Sequence, residues 1–507
     1  MTTGPSAAGA PISRVVIVGG GTSGWMCAAA LSRMAAPDMT ITLVESEEIG
    51  VIGVGEATIP PLIEFNTFLG LSEREVLGEC RGTLKYGIEF VDWGRAGARY
   101  FHPFSPYGRD TAEFPFHQLW LRLMAMAARD EVSAAAIGDI EDYNLCALAA
   151  RLGRVAPPGT NNPLLATMRH AYHLDATLYA KILRRYAEQK NVQRVEGLVV
   201  DVDQAPETGL IQHVILRDGR TIAGDLFIDC SGFRSLLIGE AMDSAFIDWS
   251  AYLPCDRAIA MPVKRHGAPV PYTRATADRA GWRWRIPLQH RAGHGYVYSS
   301  AILDDDAAHR RLVETCDGEP IADARPLRFR TGHRHCFWDR NCVAIGLAGG
   351  FIEPLESTSI HLAQLGIQRL INLWPAYGVS QTEAQCYNRL MTADYTRLRD
   401  FILLHYVATD GRDEPFWQEV RRIAIPNTLA EKLELFRGRG RIVAEADDLF
   451  TTHNWLAVML GQGLRPSGYD GLVDRVPSDV LIRNMGLLHQ AFAKAATRLV
   501  PYPHSDA

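Results

Sequence analysis

The stretch RVVIVGGGTSGWMCAAAL, residues 14–31, reads as a strand, a glycine turn and a helix in direct succession. The strand is residues 15–18. Gly19, Gly21 and Gly24 then fit G-x-G-x-x-G: the first glycine permits a tight turn, the second lets backbone approach a pyrophosphate, and the third lets helix pack on strand. Unpaired N–H groups and the helix dipole favour negative charge at such a helix start, so the phosphates belong there. A second β run, TITLV at residues 40–44, ends in Glu45, twenty-one residues after Gly24, where a ribose-binding acid belongs. Strand, helix and acid together predict a dinucleotide site rather than a glycine turn that serves packing alone.

The rest of the 507-residue chain is long enough for two or three packed regions, and 47% hydrophobic with 22% charged residues is ordinary for a globular protein. A net charge of -6 without any Lys/Arg tract gives no reason to expect nucleic acid as a partner. Nine cysteines are scattered without a C-x-x-C pair, and neither a signal core nor about eighteen uninterrupted apolar residues occurs. Reduced thiols, a cytoplasmic location and no membrane insertion are the expectation, and no metal site is predicted.

Residues 49–60, IGVIGVGEATIP, are glycine-spaced and read as a loop approaching a ligand, or as a plain connection. Residues 72–80 read as a short helix with Ser72 as N-cap and Glu75 three residues on. Residues 83–93, TLKYGIEFVDW, alternate as one strand, with Leu84, Tyr86, Ile88 and Phe90 on one face and Lys85, Gly87 and Glu89 on the other. Lys85 is one of only six lysines against forty-six arginines, yet a strand lysine is ordinarily solvated. Residues 100–106, YFHPFSP, place His102 and Phe104 around a proline expected to prevent regular structure, in a pocket wall or a surface loop.

From Thr167 to Glu188 apolar residues recur at helical spacing, with Asp175 near the start. Strand-like pieces follow at 195–202, 213–216 and 226–230, the last running into Asp229-Cys230-Ser231-Gly232. Asp229 is a cofactor candidate or a turn cap. GWRWRIP at residues 281–287 puts Trp282 and Trp284 on one side if extended, as core packing or as something more. Residues 341–365 read as a strand, a glycine turn, an acidic loop and a helix begun by Ser357, Thr358 or Ser359, whose N–H groups suit an anion; Glu356 ahead of it also serves helix electrostatics. Beyond Pro375 the pattern is helical at 384–408, 414–423 and 429–436.

Together these segments resemble the flavin-dependent halogenases of the tryptophan halogenase family over nearly the whole chain. GGGTSGW (residues 19–25), GWRWRIP, which matches G-W-x-W-x-I-P, and TLKYGI, whose Lys85 matches the family's catalytic lysine, carry the resemblance, supported by GVGEATIP (53–60) and EPLESTS (353–359). It implies an α/β, two-domain flavin monooxygenase-like fold: a body over 1–375 with a Rossmann-type FAD-binding domain (sheet from about 12–60, 165–235 and 325–375, inserted segments 61–164 and 236–324), and a mainly helical substrate region over 376–507. It implies FAD, used as FADH2, held by Gly19, Gly21, Thr22, Ser23, Gly24, Glu45, Val54, Gly55, Glu56, Ala57, Val199, Asp229, Leu347 and Ile360.

The resemblance further implies that chloride or bromide rests on the backbone of Thr358 and Ser359 and is oxidised to hypohalous acid. Trp282, Trp284, Ile286 and Pro287 would shield the flavin and leave passage only for that oxidant. Lys85 and Glu356 would direct it, and His102, Phe104, Ser357 and Trp455 would line the substrate pocket. Ser359 departs from the glycine that tryptophan halogenases often have there. Residues 441–454 hold no tyrosine, which argues against free tryptophan and for indole or another electron-rich arene. A separate NADH-dependent flavin reductase is the expected partner, and a homodimer is compatible. A flavin aromatic hydroxylase and a non-catalytic flavin-binding protein are the competing readings.

Overall fold

The structure is a computed structural model that describes residues 11–49, 55–157 and 159–502. The chain forms two compact units: the described parts of Met1–Gly82 with Leu174–Asp256 and Arg328–Thr396, and the described parts of Thr83–His173, Arg257–Leu327 and Arg397–Ala507.

The first unit is built on a six-stranded sheet in the order Trp338–Asp339, Cys342–Ala344, Leu226–Asp229, Arg14–Val18, Thr40–Glu45, Gln193–Glu196. Arg14–Val18 is central, parallel to both neighbours, and Val18 is in register with Val44 on one side and Asp229 on the other. Gly19 N–H donates to the Val44 carbonyl at 2.8 Å and Cys230 N–H to the Val18 carbonyl at 2.8 Å, so three strand ends meet at the glycine turn. The turn leads into the Thr22–Met34 helix, which buries residues 24–31. Val16, Val18, Val44, Phe227 and Ala344 share one apolar cluster, the burial that holds these strands in place. This is a Rossmann-type sheet, and the fold class is α/β as the sequence implies.

In the second unit an extended sheet runs in the order Arg257–Val263, Ala292–Tyr298, Gly281–Pro287, Thr273–Asp278, Gly87–Val91, Arg99–Pro103. Neighbours are antiparallel except Thr273–Asp278 with Gly87–Val91. Helices that include Phe116–Ala127, Leu145–Leu152, Asn427–Arg439, Thr452–Gly461 and Ser478–Ala496 complete it. No helix among the described residues is long and apolar enough to cross a membrane.

Four local expectations change. Residues 83–93 are two strands, Thr83–Lys85 and Gly87–Val91, because the Tyr86 N–H turns to the Pro271 carbonyl at 2.7 Å while Thr83–Lys85 pairs with residues 171–173. Lys85 consequently escapes the solvent face and is fully buried. Residues 99–103 are a strand despite the proline: Pro103 ends an edge strand, opposite Gly87, where a missing N–H breaks no ladder. Residues 171–175 are a strand, and the helix begins only at Ala176, with Asp175 accepting from Thr177 N–H at 3.1 Å and Leu178 N–H at 3.3 Å. Strand pairing there overrides helical spacing. Gly55–Ala57 is a short strand rather than loop, and Val54 lies outside the described residues. Ser72, by contrast, caps Glu73–Glu79 as read, accepting from Glu75 N–H at 3.2 Å.

Candidate active site

In the first unit the glycine turn is shaped by what it excludes. Gly19 has φ +116°, and a Cβ on it would stand 2.2 Å from the Cys230 carbonyl oxygen. A Cβ on Gly24 would stand 1.9 Å from the Gly19 carbonyl oxygen, the close approach expected of the third glycine. A Cβ on Gly21 would meet nothing within 4 Å, so the turn is open at the residue expected to face a phosphate. Gly21 is the N-cap of the Thr22–Met34 helix and offers no capping side chain, which leaves first-turn N–H groups for an anion.

Glu45 adds a constraint that the motif did not reveal. Its Oε2 lies 1.5 Å from where a Gly20 Cβ would be, so the carboxylate rests against the turn. Arg194 holds it by Nε at 2.5 Å and Trp25 Nε1 donates to it at 3.4 Å. A carboxylate has about four acceptor sites, which leaves capacity for ribose hydroxyls.

Asp229 is fully buried, and both its oxygens are engaged: Oδ1 accepts from Ser231 N–H (3.0 Å) and hydroxyl (2.6 Å), Oδ2 from Leu237 and Ile238 N–H (2.8 Å each). It fastens the strand end to the π-helical turn Leu236–Ala241. Ser23 lies against Gly346, beside Leu347; Val199 begins its strand buried, and burial raises the Glu56 carboxyl to about 7.

The same unit carries the acidic loop. Pro354–Glu356 is a 3-10 turn, Ser357 adopts the left-handed conformation (φ 60°, ψ 38°), and the helix is Ser359–Asn372 with Thr358 as N-cap. A serine held there stores backbone strain that the surrounding contacts must sustain. Glu353 and Glu356 are buried carboxylates, and Ile360 is buried in the first turn. Thr358 Oγ1 and His361 Nδ1 are buried without a hydrogen-bond partner among the described residues. Burial, assisted by Arg369, pushes His361 from its ordinary 6.5 to about 4, so the ring is neutral. The Thr358 side chain does not cap the helix, so its first N–H groups remain available to an anion.

The second unit carries Lys85, Trp282 and Trp284. Lys85 Nζ lies over the Phe104 ring, 5.2 Å from its centroid. Trp282 and Trp284 alternate onto one face of Gly281–Pro287, as read, with centroids 6.1 Å apart at 56°; Ile286 and Pro287 are buried with them. Across the ladder, Trp284 opposes Gly295, where a Cβ would stand 2.0 Å from the indole.

His102 is buried and accepts from Asn454 Nδ2 at 2.8 Å, a bond that fixes which ring nitrogen carries the lone pair. Phe401 stacks on Phe450 at 3.9 Å and meets Trp455 edge-on at 5.1 Å, while Lys432 lies over the Trp455 ring at 5.2 Å. Trp455 is thus embedded among protein groups. Asn454, Phe401 and Arg194 went unread in the sequence; none belongs to a recognisable motif, and only the fold makes them neighbours of residues that do.

A cradle open at Gly21, a buried lysine beside an aromatic ring, and a same-face tryptophan pair are the features by which a family is to be judged. Residues 14–478 match the sequence profile of the family described as Tryptophan halogenase. The chain belongs to the tryptophan halogenase family. It is 35% identical over 486 residues to Tryptophan 6-halogenase SttH of Streptomyces toxytricini, spanning 91% of this chain and 92% of that one. Among solved structures, Xcc4156, a flavin-dependent halogenase from Xanthomonas campestris, is 43% identical with a TM-score of 0.92 over 97% of both chains. BrvH, a flavin-dependent halogenase from Brevundimonas sp. BAL3, is 40% identical with a TM-score of 0.91 over 97% of this chain and 98% of that one. The protein is a flavin-dependent halogenase, an enzyme with a flavin cofactor, and the hydroxylase and non-catalytic readings are not favoured.

Proposed function

We propose that this halogenase uses FAD as FADH2, with chloride or bromide, to halogenate an electron-rich arene such as indole or an indole derivative. The observation that carries the reading is Lys85: fully buried, and over the face of Phe104. Burying an amine is costly, so a lysine so enclosed serves chemistry better than solubility.

The glycine turn, Thr22, Ser23, Glu45, Gly55, Glu56, Ala57, Val199, Leu347 and Ile360 are assigned to FAD. When bound, the reduced flavin supplies, with dioxygen, the two-electron oxidation of halide to hypohalous acid. Backbone N–H groups at Thr358 and Ser359 hold the halide. Trp282 and Trp284, with Ile286 and Pro287, exclude a substrate-sized molecule and pass the small oxidant. Lys85 receives it by hydrogen bond or as a haloamine. Glu356 polarises it and takes the proton from the ring carbon after halogen transfer. His102 and Phe104 present aromatic surface to the arene, and Ser357 and Trp455 are also assigned to substrate.

Free tryptophan is disfavoured because residues 441–454 supply no tyrosine to hold its polar end. A separate NADH-dependent flavin reductase in the cytoplasm supplies FADH2. Mass spectrometry of products from the purified protein with FAD, a flavin reductase and NADH, comparing indole with tryptophan under chloride and bromide, tests the reading. A halogen isotope pattern on indole, lost in Lys85→Ala and reduced about a hundredfold in Glu356→Gln, is expected. Hydroxylated product, or halogenation that persists in Lys85→Ala, overturns it.

A further inference from the structure

Lys85 shares its three-residue strand with Thr83, whose hydroxyl is the junction of a buried polar chain in the second unit. Thr83 Oγ1 donates to the Pro287 carbonyl at 2.7 Å and lies 2.8 Å from His173 Nδ1. A hydroxyl has one proton, so the second contact must be donated by an Nδ1–H of His173. The other ring nitrogen, Nε2, is 2.9 Å from Thr273 Oγ1 and accepts that hydroxyl's proton.

His173 is fully buried, and burial together with the positive charges of Lys85 and Arg285 holds its pKa well below the ordinary value. The ring is therefore neutral, and only the Nδ1–H tautomer satisfies both threonines. Thr83 and His173 are also direct partners in the ladder, so side chains and backbone pin the same pair. The chain Pro287–Thr83–His173–Thr273 ties the Lys85 strand to the last residue of Gly281–Pro287 and the first of Thr273–Asp278.

We propose that His173 is a positioning residue for Lys85: as the Nδ1–H tautomer it locks the Thr83 hydroxyl onto Pro287 and so fixes the Lys85 strand relative to the strand of Trp282 and Trp284. The proposal rests on the assignment of Lys85 as the group that receives the oxidant. Hypohalous acid is too small to be oriented by shape, so its capture depends on where the lysine nitrogen stands, and misplacement by about 1 Å costs on the order of a hundredfold.

The test uses the full-length protein with FAD, NADH, a separate flavin reductase and indole, plus a thioether scavenger that reports escaped hypohalous acid. Thr83→Val, isosteric but without the hydroxyl, lowers halogenated indole about a hundredfold while total oxidised halide and KM for indole stay at wild-type values. Thr83→Ser, which restores the hydroxyl, recovers most of the product. Thr273→Val shifts the partition the same way by less, and carries the test alone if Thr83→Val does not fold by circular dichroism. Nitrogen NMR of histidine-labelled protein shows the His173 proton on Nδ1.

A wild-type partition in Thr83→Val, equal losses in Thr83→Val and Thr83→Ser, or a proton on Nε2 overturns the proposal. Lys85→Ala runs alongside: if it leaves the partition unchanged, the assignment of Lys85 fails and the positioning role with it. If Lys85→Ala abolishes product and Thr83→Val does not, the positioning role alone is overturned.

Discussion

The glycine turn and the Lys85 strand solve opposite problems. At the turn, the shape depends on side chains being absent: Gly19, Gly20 and Gly24 each border atoms that a Cβ would strike, and Gly21 stays open. At the Lys85 strand, one long charged side chain is present where strands ordinarily bury apolar groups, against the face of Phe104. A site built from backbone tolerates little change of shape, whereas a site built from one amine tolerates little change of chemistry. The two therefore fail differently.

Lys85→Ala separates them most sharply: halogenated product should fall about a thousandfold, roughly 4 kcal/mol of barrier, with FAD affinity unchanged by fluorescence titration. Loss of FAD binding in that variant would erase the distinction.

Acid tests the start of the Ser359–Asn372 helix, because a protonated His361 is excluded by burial. The unfolded chain takes up a proton below its ordinary 6.5, whereas the folded ring resists until about 4. Stability linked to this residue is thus complete above pH 6.5 and is lost as pH falls toward 4, by about 3 kcal/mol at most. His361→Gln should lose less Tm than the wild type over that interval in thermal melts, and parallel curves would refute the linkage.

Gly20→Ala is expected to weaken FAD binding by about ten- to a hundredfold, because Glu45 must leave the turn at a cost of about 1–3 kcal/mol. Unaltered FAD affinity would mean that Glu45 yields freely. Phe104→Leu should lower product about thirtyfold, from loss of a cation–π contact worth about 2 kcal/mol where the amine is desolvated. Equal sensitivity to Phe104→Leu and Lys85→Ala would show that the aromatic wall, not the amine, limits the reaction.

The same contrast explains how much was legible in the chain. Gly19, Gly21, Gly24, Glu45 and the Trp282–Trp284 alternation were readable because strand and turn geometry are written locally, within a few residues of each motif. Lys85 was readable as a motif but not as a buried group: alternation put it on the face opposite Tyr86 and Phe90, and only pairing with residues 171–173 takes it out of solvent. His173 lay in a segment whose spacing suggested helix, and its partners Thr83 and Thr273 stand 90 and 100 residues away. Asp229 was equally readable as a cap or a cofactor ligand, and its four contacts, all within nine residues, fasten the strand end to the turn that follows.

Gly295 makes the bulk of Trp284 possible. Its missing Cβ leaves the space that the indole occupies across the ladder. For anyone reshaping this enzyme, the two positions are therefore a single design variable: a side chain added at 295 evicts the indole, and a smaller residue at 284 opens a void that position 295 can refill. Libraries that randomise Trp284 alone explore half of that variable, while paired substitutions let the bulk be moved from one strand to its neighbour without being removed.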